Sequence, residues 1–305
     1  MPIVLQDVVN KRSRQRRQFV DAHTPAEAAI LLLEEHGFYH DFVVGEDSRL
    51  FFADKNSIDL LRRWPDVFVL DCTYKTNEYN LPVLNIVAAS CLNKTIQVGI
   101  CFLSGESEND FTWAVQALRR FLESNGIELP SLVITDRDLA LMNALEENLQ
   151  ETEFLLCRWH LNKDMLAYAR KHVHRQIRNS QTGFFEDHES VGKVMELFWA
   201  CLDADTEDIF DNACKSLKRE SSVCAAYLDS NWWPYKDKLV LAWTKRFTHF
   251  GEQVSSRVEG HHHRLKKWLG SSRNDLLGFL EACLRLFPSS TFSTQSIPVF
   301  GVSNL

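Results

Sequence analysis

Short continuous apolar runs bounded by turn residues alternate along this chain with longer segments whose apolar positions recur at helical spacing. The runs at 67–71, 132–135 and 153–157 read as buried strands, since an unbroken apolar stretch leaves no wet face. Two more, 83–91 and 95–103, flank the Asn93-Lys94 turn and predict a hairpin. Helices are predicted over 109–124, with Phe111, Val115, Leu118 and Leu122 on one stripe, over 139–149, and from Arg158 onward. Upstream, Thr24-Pro25 opens a helix with the stripe Ala29, Leu32 and Leu33 that stops at Gly37. A hairpin over 42–44 and 50–53 and a brief helix over 58–64 follow.

From residue 67 the order is β-β-β-α-β-α-β-α, which fits an α/β fold with an RNase H-like mixed sheet flanked by helices. Two strands run directly into acids, the first into Asp71 and the fourth into Asp136. An isolated carboxylate at the end of a buried strand is costly unless paired, hydrogen-bonded or metal-bound. Taken alone, Asp71 also reads as a turn residue capping the backbone of Thr73. If the two strands are parallel neighbours, both acids lie outside the carboxyl edge of the sheet, where open sheets form their sites. A pair so placed favours a cation between them, and hard oxygen ligands suit Mg²⁺ or Mn²⁺.

The organisation predicted is a small α+β appendage over 1–65, a core over 66–174 and an all-α insertion over 175–254 with its own small core. Helices over 255–287 complete the core, and 288–305 is a Ser/Thr/Pro-rich tail. Trp199, Trp232, Trp233 and Trp243 supply apolar surface to the insertion. Ser255–Gly260 opens a helix in which Ser256 and Glu259 fit a capping box. Glu259 equally places a third acid on a first turn, with Arg264, Lys266 and Lys267 beyond it as DNA-binding candidates.

A net charge of −7 excludes a global attraction to nucleic acid, so DNA contact must come from local basic patches such as Lys11, Arg12, Arg14, Arg16 and Arg17. That run reads equally as a nuclear-import or phosphate-binding patch and as a solvated helix face. No stretch is apolar for long enough to predict a membrane helix, and no apolar core of a secretory signal is present. Eight cysteines without a C-x-x-C read as reduced thiols of an intracellular protein.

Four blocks carry a family likeness: DVFVLDCTYKTNEYNLPVLNIVA, ENDFTWAVQALRRFL, LVITDRDLALMNAL and FLLCRWHLNKDM. In this order and at these distances they resemble the catalytic domain of Mutator-like element (MULE) transposases, over about 66–170. The same domain is similar to that of the far-red-response factors, regarded as domesticated relatives. The resemblance implies a DDE transposase catalysing metal-dependent DNA strand cleavage and transfer, or an inactive domesticated module that binds DNA and regulates transcription. A structure-selective ribonuclease on the same fold is the other enzyme class. It implies Asp71, Asp136 and Glu259 as the metal-binding acids, 65 and 123 residues apart. Two Mg²⁺ (or Mn²⁺) ions held by them would activate water or a 3′-hydroxyl and stabilise the leaving oxygen. Cys157 and His160 match the family's C-x-x-H, with His160 near the scissile phosphate and Cys157 structural; His160 also reads as a hydrogen-bonded residue at a helix start. The partners implied are transposon-end and target DNA in the nucleus, with a homodimer as the common arrangement, and neither a membrane nor a small-molecule substrate. Zinc-binding modules usual in full-length relatives find no match here, so the chain reads as a truncated or decayed copy, or a fragment.

Overall fold

The apolar run Val67–Thr73 (β3) is the hub of a seven-stranded sheet. A computed structural model describes residues 22–45, 47–73, 81–90, 94–178, 180–247 and 276–284 of the chain. Glu259, Arg264, Lys266 and Lys267, the basic run at 11–17 and the tail lie outside these residues.

On one side β3 pairs antiparallel with Val83–Ala89 (β4), which pairs with Thr95–Phe102 (β5). On the other side it pairs parallel with Leu132–Thr135 (β6), which pairs parallel with Glu153–Leu156 (β7). The hairpin Phe38–Val43 (β1) and Arg49–Asp54 (β2) extends the far edge, giving the order β1-β2-β5-β4-β3-β6-β7. β2 pairs with β5, so this hairpin continues the central sheet. The reason is in the adjacent residues Phe51 and Phe52, both fully buried, which insert into the cores on opposite faces of the sheet. Burial of each contributes on the order of 2–3 kcal/mol.

Five helices match their predicted positions to within a residue or two. Pro25–Glu35 (α1) begins with a capping box in which Thr24 and Glu27 satisfy each other's backbone amides. After the short Ile58–Arg63 (α2), Glu108–Ser124 (α3) has the same device from Ser107 and Asp110. Leu139–Asn148 (α4) is capped by Asp138, whose carboxylate accepts the Leu141 amide at 2.9 Å. Arg158–His172 (α5) follows β7 after the single residue Cys157.

One face of the sheet, with Phe68, Leu70, Leu84 and Ile86, packs under α3 and α4. The insertion comprises Glu189–Leu202 (α6), Glu207–Glu220 (α7), Ser222–Asn231 (α8) and Leu241–Thr244 (α9), preceded by a ribbon of Ile177–Arg178 (β8) with Phe185–Glu186 (β9). Among the described residues it does not build a core of its own. Val191, Phe198, Leu217 and Leu228 join the same apolar cluster as Phe68, through Leu161, Met165 and Ala169 of α5. Buried Arg158 reinforces the join, donating to the carbonyls of Leu202 at 2.7 Å and Leu239 at 2.8 Å and to Asp203 at 2.9 Å. Leu276–Leu284 (α10) packs through Phe279, Leu280 and Cys283 against α1 and the β1/β2/β5 end of the opposite face.

Candidate metal centre

The face opposite α3 holds two apolar patches. One lies under α1 and α10; the other comprises Val67, Val69, Val87, Ala89, Leu132, Ile134, Leu155 and Cys157. Side chains alternate along a strand, so Asp71 stands on the same face as Val67 and Val69. It is 2% exposed, at the end where β3 outruns β6.

The register of the parallel pair runs Val67↔Leu132, Phe68↔Val133, Val69↔Ile134. Carried forward by two residues with the same offset, it sets Asp136 beside Asp71, on the face of Leu132 and Ile134. The adjacency predicted for the two acid-bearing strands is thus present. Cys157 continues the pattern on the next strand, its amide donating to the Thr135 carbonyl at 2.7 Å, and its side chain is buried in the patch below the acids. His160 follows on the first turn of α5, with Nε2 at 3.8 Å from Asp71 Oδ1.

Electrostatics distinguish these groups. Burial, reinforced by the negative charges of Asp138 and Glu106, pushes the Asp136 carboxyl up to about 6, against a weak opposing hydrogen bond from Thr135. Burial and the Lys163 ammonium push the His160 imidazole down to about 4. His160 is therefore neutral at physiological pH, and its contact with Asp71 is polar rather than an ion pair. The same acids surround Cys72, whose thiol is held well above its usual range by burial and then by Asp136 and Asp71.

The loop bearing Asp136 is fixed from both sides. Asp138 is committed to the cap of α4. Arg137 turns the other way, its guanidinium 4.5 Å from the centre of the Trp232 ring and hydrogen-bonded to the Asn231 carbonyl. The end of α8 thereby clamps the loop, a role for Trp232 that its apolar character alone did not predict.

A divalent cation fits these residues on their own chemistry. The donors are carboxylate oxygens, and a cation would offset the burial, and the repulsion from Asp138 and Glu106, that raise the Asp136 carboxyl. The Thr73 hydroxyl, on the same face two positions beyond Asp71, is buried and has no partner among the described residues. No three His, Cys, Asp or Glu side chains converge to ligand distance among the described residues, and the third predicted acid, Glu259, lies outside them.

Two polar residues on this face were missed by sequence reasoning. Asn85 of β4 lies directly opposite Asp71, and Gln97 of β5 donates to it at 2.7 Å. The signal was available: each is an amide inside an otherwise apolar buried strand.

Residues 67–164 match the MULE transposase domain. Protein FAR-RED IMPAIRED RESPONSE 1 of Arabidopsis thaliana is 28% identical over 149 residues, 48% of this chain and 18% of that protein. Protein FAR1-RELATED SEQUENCE 5 of the same organism is 25% identical over 129 residues, 41% of this chain and 16% of that protein. The PKS-NRPS hybrid synthetase cheA of Chaetomium globosum is 20% identical over 295 residues, covering 88% of this chain but 6% of that protein. The chain thus spans only a small part of each of these relatives.

Proposed function

We propose, for a chain whose residues 67–164 match the MULE transposase domain, that it is a metal-dependent polynucleotidyl transferase that cuts and joins DNA strands. The observation that supports this best is the parallel pairing of β3 with β6, whose register, carried two residues on, aligns Asp71 with Asp136 at the carboxyl edge of the sheet. The strand order β5-β4-β3-β6-β7, antiparallel on one side of β3 and parallel on the other, agrees with an RNase H-like core.

Asp71 and Asp136 would hold the cation, with Glu259 as the third ligand carried over from the family likeness. When bound, Mg²⁺ or Mn²⁺ supplies activation of a water or 3′-hydroxyl and stabilises charge on the leaving oxygen. The chain's own groups do the rest. Buried Asp71 is oriented by its strand, and α8 holds the loop of Asp136 through Arg137. Neutral His160 adds a polar group beside Asp71 without bringing positive charge that would compete with a cation. Arg264, Lys266 and Lys267 are proposed as phosphate contacts. DNA as substrate implies action in the nucleus; among the described residues no helix is long and apolar enough to cross a membrane.

A second reading, a domesticated DNA-binding module without turnover, is favoured by the match to FAR-RED IMPAIRED RESPONSE 1. One assay separates the two. Purified protein with Mn²⁺ is incubated with duplex DNA, pre-nicked DNA and an RNA–DNA hybrid, beside the Asp71→Asn variant. Cleavage of DNA by the parent, abolished in the variant while DNA affinity is kept or improved, supports the transferase. DNA binding without cleavage supports the module, and cleavage confined to the RNA strand of the hybrid assigns a ribonuclease. Unchanged cleavage by Asp71→Asn overturns the site.

A further inference from the structure

Asn85 and Gln97 form a buried amide pair in the middle of the sheet, on the face that carries Asp71. Each is 1% exposed, although the strands that bear them are otherwise apolar and buried. Their hydrogen bonds fix which way the amides point. Gln97 Nε2 lies 3.0 Å from the Ile86 carbonyl oxygen and 2.9 Å from that of Gly99. Carbonyl oxygens only accept, so the Gln97 atom between them is the NH₂ group. The same nitrogen lies 2.7 Å from Asn85, so the Asn85 atom facing it is the oxygen, Oδ1. The Asn85 NH₂ group is thereby turned away from Gln97. It is buried, and it has no acceptor among the described residues.

Directly opposite Asn85 across the antiparallel ladder is Asp71. Cross-strand partners share a face, with Cβ atoms about 4.5–5.5 Å apart. A donor held in a fixed direction thus stands beside a carboxylate. The fixing is done from behind, by two backbone carbonyls acting through Gln97.

We propose that Asn85 is a positioning residue for Asp71: on cation binding its NH₂ group, unpaired among the described residues in the metal-free fold, comes to donate to one carboxylate oxygen and so directs the other toward a divalent cation, with Gln97 holding the amide in that sense. Resting on the cation site proposed above, this adds an outer-shell partner that the acids alone do not reveal. Outer-shell hydrogen bonds of this type orient ligating carboxylates, and their loss typically weakens metal binding by 10- to 100-fold. Two substitutions remove the effect by different routes. Asn85→Leu deletes the donor at similar volume. Gln97→Glu removes the NH₂ group that holds Asn85 Oδ1, so the Asn85 amide is no longer fixed in the sense that turns its NH₂ toward Asp71.

The experiment is a Mn²⁺ titration of the full chain, with free Mn²⁺ read by electron paramagnetic resonance. Parent, Asn85→Leu, Gln97→Glu and Asp71→Asn are compared with Val87→Ala, which damages packing on the same strand and face, opposite Gln97, but removes no hydrogen-bonding group. Thermal unfolding in EDTA reports the fold of each variant independently. The expected result is a Mn²⁺ dissociation constant raised about 10- to 100-fold by Asn85→Leu and by Gln97→Glu, with Val87→Ala at the parent value. Parent-like affinity in Asn85→Leu, with binding lost in Asp71→Asn, overturns the role of Asn85 and leaves the cation site standing. Equal weakening in Asn85→Leu and Val87→Ala overturns it as well, because a packing defect then accounts for the loss. Absence of Mn²⁺ binding by folded parent overturns both the role and the site. Should Asn85→Leu fail to fold, Gln97→Glu decides by the same criteria.

Discussion

Replacing Asp136 by asparagine should make the metal-free protein more stable at neutral pH while removing an acid the site needs. The Asp136 carboxyl is raised from 3.8 to about 6 in the fold. A shift of about 2 units corresponds to ~3 kcal/mol between its two protonation states. The sign follows from linkage. Below pH ~4 the group is protonated whether the chain is folded or not, so nothing is at stake. As pH rises toward 6 and beyond, the unfolded chain releases the proton freely while the folded chain must ionise a buried acid next to Asp138 and Glu106. Stability of the parent therefore falls across that window. Asp136 retains some solvent contact, which tempers the figure to about 1–3 kcal/mol. Asparagine keeps an oxygen for the Thr135 hydroxyl, 3.4 Å away, and cannot ionise. Urea unfolding in EDTA should show Asp136→Asn level with the parent at pH 4 and ahead by that amount at pH 7.5. Mg²⁺ at tenfold its dissociation constant should then stabilise the parent by about 1.4 kcal/mol and leave the variant unmoved. A difference that does not change with pH, or a variant less stable at pH 7.5, would refute the reasoning.

The remaining predictions concern the frame that holds the site. Arg158→Met should cost about 3–5 kcal/mol in urea unfolding, because it strips two buried carbonyls and Asp203 of their donor; a loss under 1 kcal/mol would show that the insertion docks without it. Asp110, although burial opposes ionisation, is held down at about 2 by hydrogen bonds from Ser104, Ser107 and Arg49. Its contribution, about 2 kcal/mol, is complete above pH ~4 and lost as pH falls toward 2. Acid unfolding of Asp110→Asn should therefore be flatter than that of the parent between pH 4 and 2, and parallel curves would remove Asp110 from the account.

Much of the sheet was legible because its strands are buried on both faces. Predominantly apolar runs mark β3, β4, β5, β6 and β7 to within a residue or two, and the predicted pairing of the acid-bearing strands follows from their order. Helix starts were legible where a cap is local, as at Thr24-Pro25, where the capping residues lie within a few positions. What escaped depends on contacts distant in sequence. β1 begins four residues before the predicted hairpin strand because Tyr39, which looks polar in isolation, packs against Phe51 and Phe121. The shared core of the insertion rests on α5, whose inward residues Leu161, Met165 and Ala169 are indistinguishable by spacing from those of a helix packing elsewhere. Asn85 illustrates the same limit within the site. An amide in an apolar strand signals that something needs it, but only the register opposite Asp71 says what.

The central claim is that Asp71 and Asp136, with Glu259, hold one divalent-cation site. Calorimetric titration of Mn²⁺ into the parent, Asp71→Asn, Asp136→Asn and Glu259→Gln tests it most directly. The parent should bind Mn²⁺, and each substitution should abolish or severely weaken that binding. Binding that survives in Asp71→Asn or Asp136→Asn, or a folded parent that takes up no Mn²⁺, would contradict it.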